Sequence, residues 1–133
     1  MASIFTKIIK GELPCFKLHE DEFTFSFLTL HQVSPGHSLV IPKVEVDRFT
    51  DVDDPHYLAV FKHAKLLSKA LEQATGCKRV GTAIVGFEVP HFHYHLIPMN
   101  SMDDFSFAKA KERSLDENKR MQKLIVEKLA ALV

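Results

Sequence analysis

The stretch Pro90-His91-Phe92-His93-Tyr94-His95-Leu96-Ile97-Pro98 decides how the rest of this chain is read. Successive side chains of a β-strand point to opposite faces. On such a strand His91, His93 and His95 share one face, and Phe92, Tyr94 and Leu96 share the other. The apolar face calls for a core beneath it. Three imidazoles in strict alternation are costly to explain as packing, so the opposite face calls for chemistry. The alternation predicts a strand over 91–97 with a site on its histidine side.

Working outward, the segment 79–85 reads as the preceding strand, and 16–18, 23–30 and 38–41 as three earlier ones. Phe23, Phe25 and Phe27 alternate, which makes one face of the 23–30 strand apolar. Ser34-Pro35-Gly36 is a turn signal between 23–30 and 38–41. Ile4, Phe5, Ile8 and Ile9 fall at helical spacing and predict a short N-terminal helix or turn ended by Gly11 and Pro14. Asp53-Asp54-Pro55 is a helix start, an acidic cap with proline in the first turn. Leu58, Phe61, Ala64, Leu67, Leu71 and Ala74 then recur every three or four residues until Gly76 closes the helix. Ser114-Leu115-Asp116-Glu117 is a capping box that opens a last amphipathic helix over about 114–132, through Met121, Leu124, Ile125, Leu129 and Leu132. The expected fold is α+β: a five-stranded antiparallel sheet with a long central helix and a C-terminal helix. With no linker, repeat or low-complexity stretch, residues 1–133 read as one domain.

Composition narrows the function classes. The chain is 46% hydrophobic and 26% charged, as expected of an ordinary globular domain. Lys plus Arg number 17 and Asp plus Glu number 17, a balance that argues against nucleic acid and anionic membrane surfaces as partners. No apolar run reaches the roughly 18 residues of a membrane span, and the N-terminus lacks the features of a signal peptide. Cys15 and Cys77 have no metal-type spacing, which fits a reduced, cytoplasmic chain. The unusual count is histidine, at 8.

Two chemistries suit the histidine strand. In the first, two of the three imidazoles share a metal. At about 3.3 Å per residue, positions four apart lie about 13 Å apart, too far for one ion, so Glu88 or His37 would have to complete the set. In the second, the central imidazole is a nucleophile whose other ring nitrogen is held by a hydrogen bond, and its neighbours donate to phosphoryl oxygens or protonate a leaving group. A neutral chain with a histidine-rich pocket suits a small anionic ligand.

At these residues the sequence resembles the histidine-triad (HIT) family of nucleotide hydrolases and transferases, whose signature His-φ-His-φ-His-φ-φ (φ apolar) is matched by HFHYHLI at 91–97. Pro35-Gly36-His37-Ser38-Leu39-Val40-Ile41-Pro42-Lys43 resembles the strand bearing that family's fourth histidine, and Ser3 to Pro14 resembles its N-terminal motif. The resemblance runs from about Ser3 to Met99. It implies a HIT-like fold in which His93 attacks the α-phosphorus of a nucleoside phosphoramidate, adenylate or dinucleoside polyphosphate to form a nucleotidyl-histidine. His95 and His37 would surround the phosphate and leaving group, and His91 would support the pocket. It further implies a nucleotide slot built from Ile4, Phe5, Ile8, Phe27, Leu28, Thr29, Leu30 and Val89. No cofactor is implied, and a homodimer is.

The chain departs from the family pattern at several points. Thr29 stands where Asp or Asn commonly holds the ribose, and Phe87 where Gln commonly sits. Only Val85 and Gly86 separate the preceding strand from Phe87. These changes favour, as an alternative, a nucleotide-binding module of low or no activity. Ser3, Thr6 and Glu45 occupy positions where some bacterial relatives have two cysteines and a histidine of a structural zinc site, so no metal is expected. His19, His31, His56 and His63 read as solvated. So does the charged run around Lys109, Lys111 and Arg113, while Cys15 and Cys77 read as small apolar fillers.

Overall fold

The computed structural model describes residues 2–133. Helix α1 (Ile4–Ile9) is capped by the Ser3 hydroxyl, which accepts from the Thr6 backbone N–H. Strands β1 (Phe16–Glu20) and β2 (Thr24–Leu28) follow, then a two-residue strand β3 (His31–Gln32) and β4 (Ser38–Pro42). Helix α2 (Asp54–Thr75) begins as expected, with the Asp53 carboxylate accepting from the His56 N–H, and ends on Gly76 in the left-handed region. Strands β5 (Arg79–Ala83) and β6 (Tyr94–Met99), a short β7 (Lys111–Glu112) and helix α3 (Leu115–Leu132) complete the order. The Ser114 hydroxyl caps α3 by accepting from the Glu117 N–H.

The main sheet has five strands in the order β1-β2-β4-β6-β5, every neighbouring pair antiparallel. Alternation divides it into two apolar layers. Leu18, Leu28, Val40 and Leu96 pack under α2 and α3 against Val60, Leu67, Leu71 and Ile125. Phe25, Phe27, Leu39 and Ile41 face the other way and are closed over by Phe5, with Ile8 alongside. The α+β architecture is therefore the one expected.

Several details differ. The 23–30 run is not one strand: β2 stops at Leu28, and His31–Gln32 pairs instead with Lys111–Glu112 in a separate two-stranded ribbon. β5 ends at Ala83 and β6 begins at Tyr94, so His91 and His93 precede the strand. The core stripe of α2 runs through Val60, His63, Ala64, Leu67, Ala70 and Leu71, which leaves Leu58 63% exposed on the opposite side. His63 is consequently buried, not solvated. It reaches from α2 to β2, where Thr24 Oγ1 lies 2.7 Å from Nδ1 and Ser26 Oγ 2.8 Å from Nε2. His31 is exposed as expected, while His19 and His56 are only partly so.

One glycine positions a site residue. Gly36 has a positive φ of 93°, and a Cβ there would meet Thr75 and Pro98 at 3.2 and 3.3 Å. Only glycine turns this tightly beneath α2, and the turn delivers His37 to the head of β4.

Candidate active site

Four histidines converge from two stretches: His37 enters at the start of β4, while His91, His93 and His95 come from β6 and the extended segment leading into it. The ladder between β4 and β6 ends at the pair Val40 and Tyr94. Before that point the Phe92 N–H donates to the Val46 carbonyl (2.7 Å), so the backbone stays extended but pairs with the chain beyond β4. The alternation survives without the ladder. Phe92, Tyr94 and Leu96 enter the core under α2, and the rings of His91 and His93 sit 5.8 and 5.1 Å from the Phe5 ring on the opposite face.

The hydrogen-bond partners assign each tautomer. The Val33 N–H donates to His37 Nδ1 (3.0 Å), so the His37 hydrogen is on Nε2 and is donated to His95 Nδ1 (2.9 Å). His95 therefore carries its hydrogen on Nε2. That buried Nε2–H has no partner among the described residues. His93 Nδ1–H donates to the His91 carbonyl (2.8 Å), which leaves the lone pair of His93 on Nε2. Two rings whose centroids are 5.2 Å apart thus offer complementary atoms, one nucleophilic lone pair and one free N–H donor.

Burial favours the neutral form of His37, His95 and His91. Desolvation, with His95 as a secondary influence, pushes His37 down to about 3. His95 falls to about 4, again chiefly by desolvation, then by the neighbouring His93. His91 is also lowered, mainly by burial, against the opposing pull of its hydrogen bond to Pro42.

Both ring nitrogens of His91 are engaged. Its Nε2–H donates to the Pro42 carbonyl (2.9 Å) and its Nδ1 accepts from the Ser3 hydroxyl (2.9 Å). Glu45 fastens the same corner, accepting from the Ser3 N–H (2.6 Å) and the Thr6 hydroxyl (2.7 Å). Those two donors hold its carboxyl down to about 2. Hydroxyls in place of thiolates, already donating to His91 and Glu45, do not suit a structural zinc. Among the described residues no group of three or more His, Cys, Asp and Glu side chains is arranged to hold a metal ion.

The residues expected to line a nucleotide slot are placed as follows. Phe5, Ile8, Phe27 and Val89 come together in the second apolar layer. Ile4 lies at its edge, half exposed, and Leu30 is 63% exposed beyond the end of β2. Thr29 is half-buried, its N–H donating to the His37 carbonyl (3.2 Å). Leu28 is a correction: it packs under α2 with Val40 and Leu96, because alternation from Phe27 sends it to the opposite face.

Three residues near the histidines were missed or misplaced. Leu39 lies opposite both Phe27 and His95 in the sheet register, two residues after His37 on the same face, a periodicity visible in the sequence. Phe107 comes from the run read as a solvated charged face, yet its ring is 5.0 Å from that of His95 and 6.4 Å from that of His37. Glu88, considered above only as a metal ligand, places Oε2 3.5 Å from His93 Nε2. Phe87 beside it is 94% exposed, and with Arg48 and Phe49 it lines a cleft of about 440 Å³ that opens onto His93.

A HIT-domain family model matches residues 10–102. The chain belongs to the HIT family. This HIT protein is 34% identical over 131 residues to the adenosine 5'-monophosphoramidase HNT1 of Saccharomyces cerevisiae, covering 96% of this chain and 83% of the relative. It is 32% identical over 128 residues to the adenylylsulfatase HINT3 of Arabidopsis thaliana, covering 92% of this chain and 65% of that protein. A zinc-bound histidine triad family protein from Mycobacterium smegmatis superposes with a TM-score of 0.85 at 25% identity, covering 99% of this chain and 96% of the other.

Proposed function

We propose that this HIT protein is a nucleotide hydrolase or nucleotidyl transferase that acts at an α-phosphorus through His93. The observation that carries the reading is the tautomer pair: His93 presents a lone pair at Nε2, and beside it His95 presents an unpartnered N–H. His93 Nε2 attacks phosphorus, and the bond to the leaving group breaks with its electron pair going to the departing atom, which takes a proton from solvent when it is an amine nitrogen and leaves as an anion when it is a carboxylate or sulfate oxygen. Positive charge then develops on the His93 ring, and the Nδ1–H bond to the His91 carbonyl strengthens to stabilise it. His95 Nε2–H donates to a phosphoryl oxygen. In the second step a water oxygen bonds phosphorus, the pair of the P–Nε2 bond returns to the ring, and the water proton goes to solvent.

The slot of Phe5, Ile8, Phe27 and Val89, with Ile4 at its rim, holds the base, and Thr29 and Leu30 lie at its ribose end. Two relatives named for monophosphoramidase and adenylylsulfatase activity support amide and mixed-anhydride substrates. The same reading makes the protein a cytoplasmic homodimer joined through the free edge of β5 and the outer face of α2, where Leu58 is exposed. Light scattering at twice 15.1 kDa checks the dimer.

The reaction is tested by mixing the protein with an adenosine 5'-phosphoramidate, quenching in alkali and weighing the intact chain. An adenylyl adduct that is absent from His93→Ala is expected. AMP binding with neither adduct nor product would instead establish a binding module.

A further inference from the structure

We propose that the Glu88 carboxylate is a charge filter at the phosphoryl position. It admits a phosphorus centre carrying one negative charge and disfavours dianionic phosphates and polyanionic leaving groups. The inference rests on the nucleotidyl-transfer reading and narrows its substrates to amine and acyl leaving groups.

Glu88 Oε2 stands 3.5 Å from His93 Nε2, close to where an attacked phosphate must bring its oxygens. The His93 side chain is 3% exposed and that of Glu88 60%, so the carboxylate reaches inward over the nucleophile from a solvated position. Among the described residues no lysine or arginine forms an ion pair with it. His37, His91 and His95 beneath it are buried rings whose hydrogens serve as donors, and among the described residues the imidazole set against the carboxylate is that of His93 itself. Arg48 and Asp47, one charge of each sign, both line the adjacent cleft.

A bound substrate pushes the Glu88 side chain aside, yet the backbone at Glu88 keeps the carboxylate near the phosphate. Two like charges about 5 Å apart at a partly solvated site repel strongly enough to change affinity tenfold or more, and a second charge on the phosphate roughly doubles the free-energy penalty. A phosphoramidate or acyl adenylate carries a single negative charge at phosphorus. The product AMP is largely dianionic at neutral pH, since its second ionisation lies near 6. Glu88 thus tolerates the substrate and expels the product. A polyphosphate leaving group brings further negative charge to the same place and is disfavoured for the same reason.

Glu88→Gln keeps the shape and removes the charge, and an exposed position makes the variant's folding simple to confirm by melting. Calorimetric binding of AMP and of adenosine is measured for both proteins. Turnover is measured for an AMP N-alkyl phosphoramidate and for diadenosine tetraphosphate. AMP is expected to bind at least tenfold tighter to Glu88→Gln, with adenosine changed less than twofold. The ratio of kcat/KM for the amidate to that for the tetraphosphate is expected to fall at least tenfold. Unchanged or weaker AMP binding, or an unchanged ratio, overturns the filter while leaving the nucleotidyl-transfer reading intact. Failure of both proteins to bind AMP sinks that reading, and the filter with it.

Discussion

His63→Gln separates the acid sensitivity of one buried imidazole from that of the whole protein. The His63 side chain is fully shielded from solvent, and burial, aided by the His19 ring 5.0 Å away, pushes it from 6.5 down to about 4. Asp21, 3.7 Å from Nδ1, opposes this without reversing it. Ser26 donates to the His19 carbonyl, so it accepts from His63 Nε2–H, and Thr24 donates to Nδ1. The neutral ring is thus satisfied on both sides and has no room for a second hydrogen. Because the folded value lies below the unfolded one, the unfolded chain binds the extra proton first. Stability is full above 6.5 and falls with pH until the folded ring titrates near 4. At about pH 5 the difference amounts to about 2 kcal/mol, out of at most about 3 kcal/mol at lower pH. Glutamine can donate to Ser26 and accept from Thr24 but does not titrate. Its cost at about pH 8 should be near 1 kcal/mol, the scale of one imperfect hydrogen bond. Urea unfolding at fixed protein concentration, at about pH 8 and about pH 5, should show wild type losing about 2 kcal/mol more than the variant. His37, His91 and His95 titrate with the same sign in both proteins and cancel in the comparison. Equal losses, within about 0.5 kcal/mol, would refute the placement of His63 as a neutral core group.

Two further variants probe the support of the triad. Glu45→Gln weakens the acceptor that holds the Ser3 N–H and the Thr6 hydroxyl, so amides of residues 4–9 should exchange several-fold faster while those of α2 do not change. Hydrogen exchange resolved by residue checks this, and uniform protection would show that α1 is held by packing alone. His37→Ala leaves the Val33 N–H and His95 Nδ1 unpartnered beside a new cavity, at a cost of about 3–5 kcal/mol in thermal or urea unfolding. His37→Gln can supply both a donor and an acceptor there, and should recover most of that stability and bring turnover to within about tenfold of wild type.

The features legible in the sequence were those with a period or a cap. Alternation at 91–97 placed three imidazoles on one side even though the ladder starts only at Tyr94, because the period belongs to extended backbone whether or not it is paired. Asp53, Gly76 and Ser114 marked helix ends because capping is local chemistry. His63 was missed for the opposite reason. A helical stripe drawn from apolar residues alone starts at Leu58, whereas the buried stripe passes through a histidine whose polar partners lie on β2, far away in sequence. Leu28 entered the slot through the family resemblance, whereas alternation from Phe27 turns its side chain toward α2. Phe107 was hidden among lysines and aspartates, and only the return of the chain over His95 shows what it covers.

The assignment of chemical roles within the triad lies beyond any one-dimensional reading. Three like residues in alternation are equivalent in sequence; backbone groups make them different. The Val33 N–H, by donating to His37, forces the hydrogen of His95 outward to a free Nε2. The His91 carbonyl, by accepting from His93 Nδ1, forces the lone pair of that ring outward instead. Had both rings presented N–H, the site would bind a phosphate and have no nucleophile. Had both presented lone pairs, it would have no donor for the phosphoryl oxygens that the proposed function places there. Desolvation keeps His37 and His95 far below neutral pH, so the arrangement does not depend on a shared proton finding its place. The Glu88 carboxylate, 3.5 Å from His93 Nε2, is then the charged group set against the proposed nucleophile, and under the charge-filter proposal that exposed side chain, and not the buried histidines, decides the selection among anionic ligands.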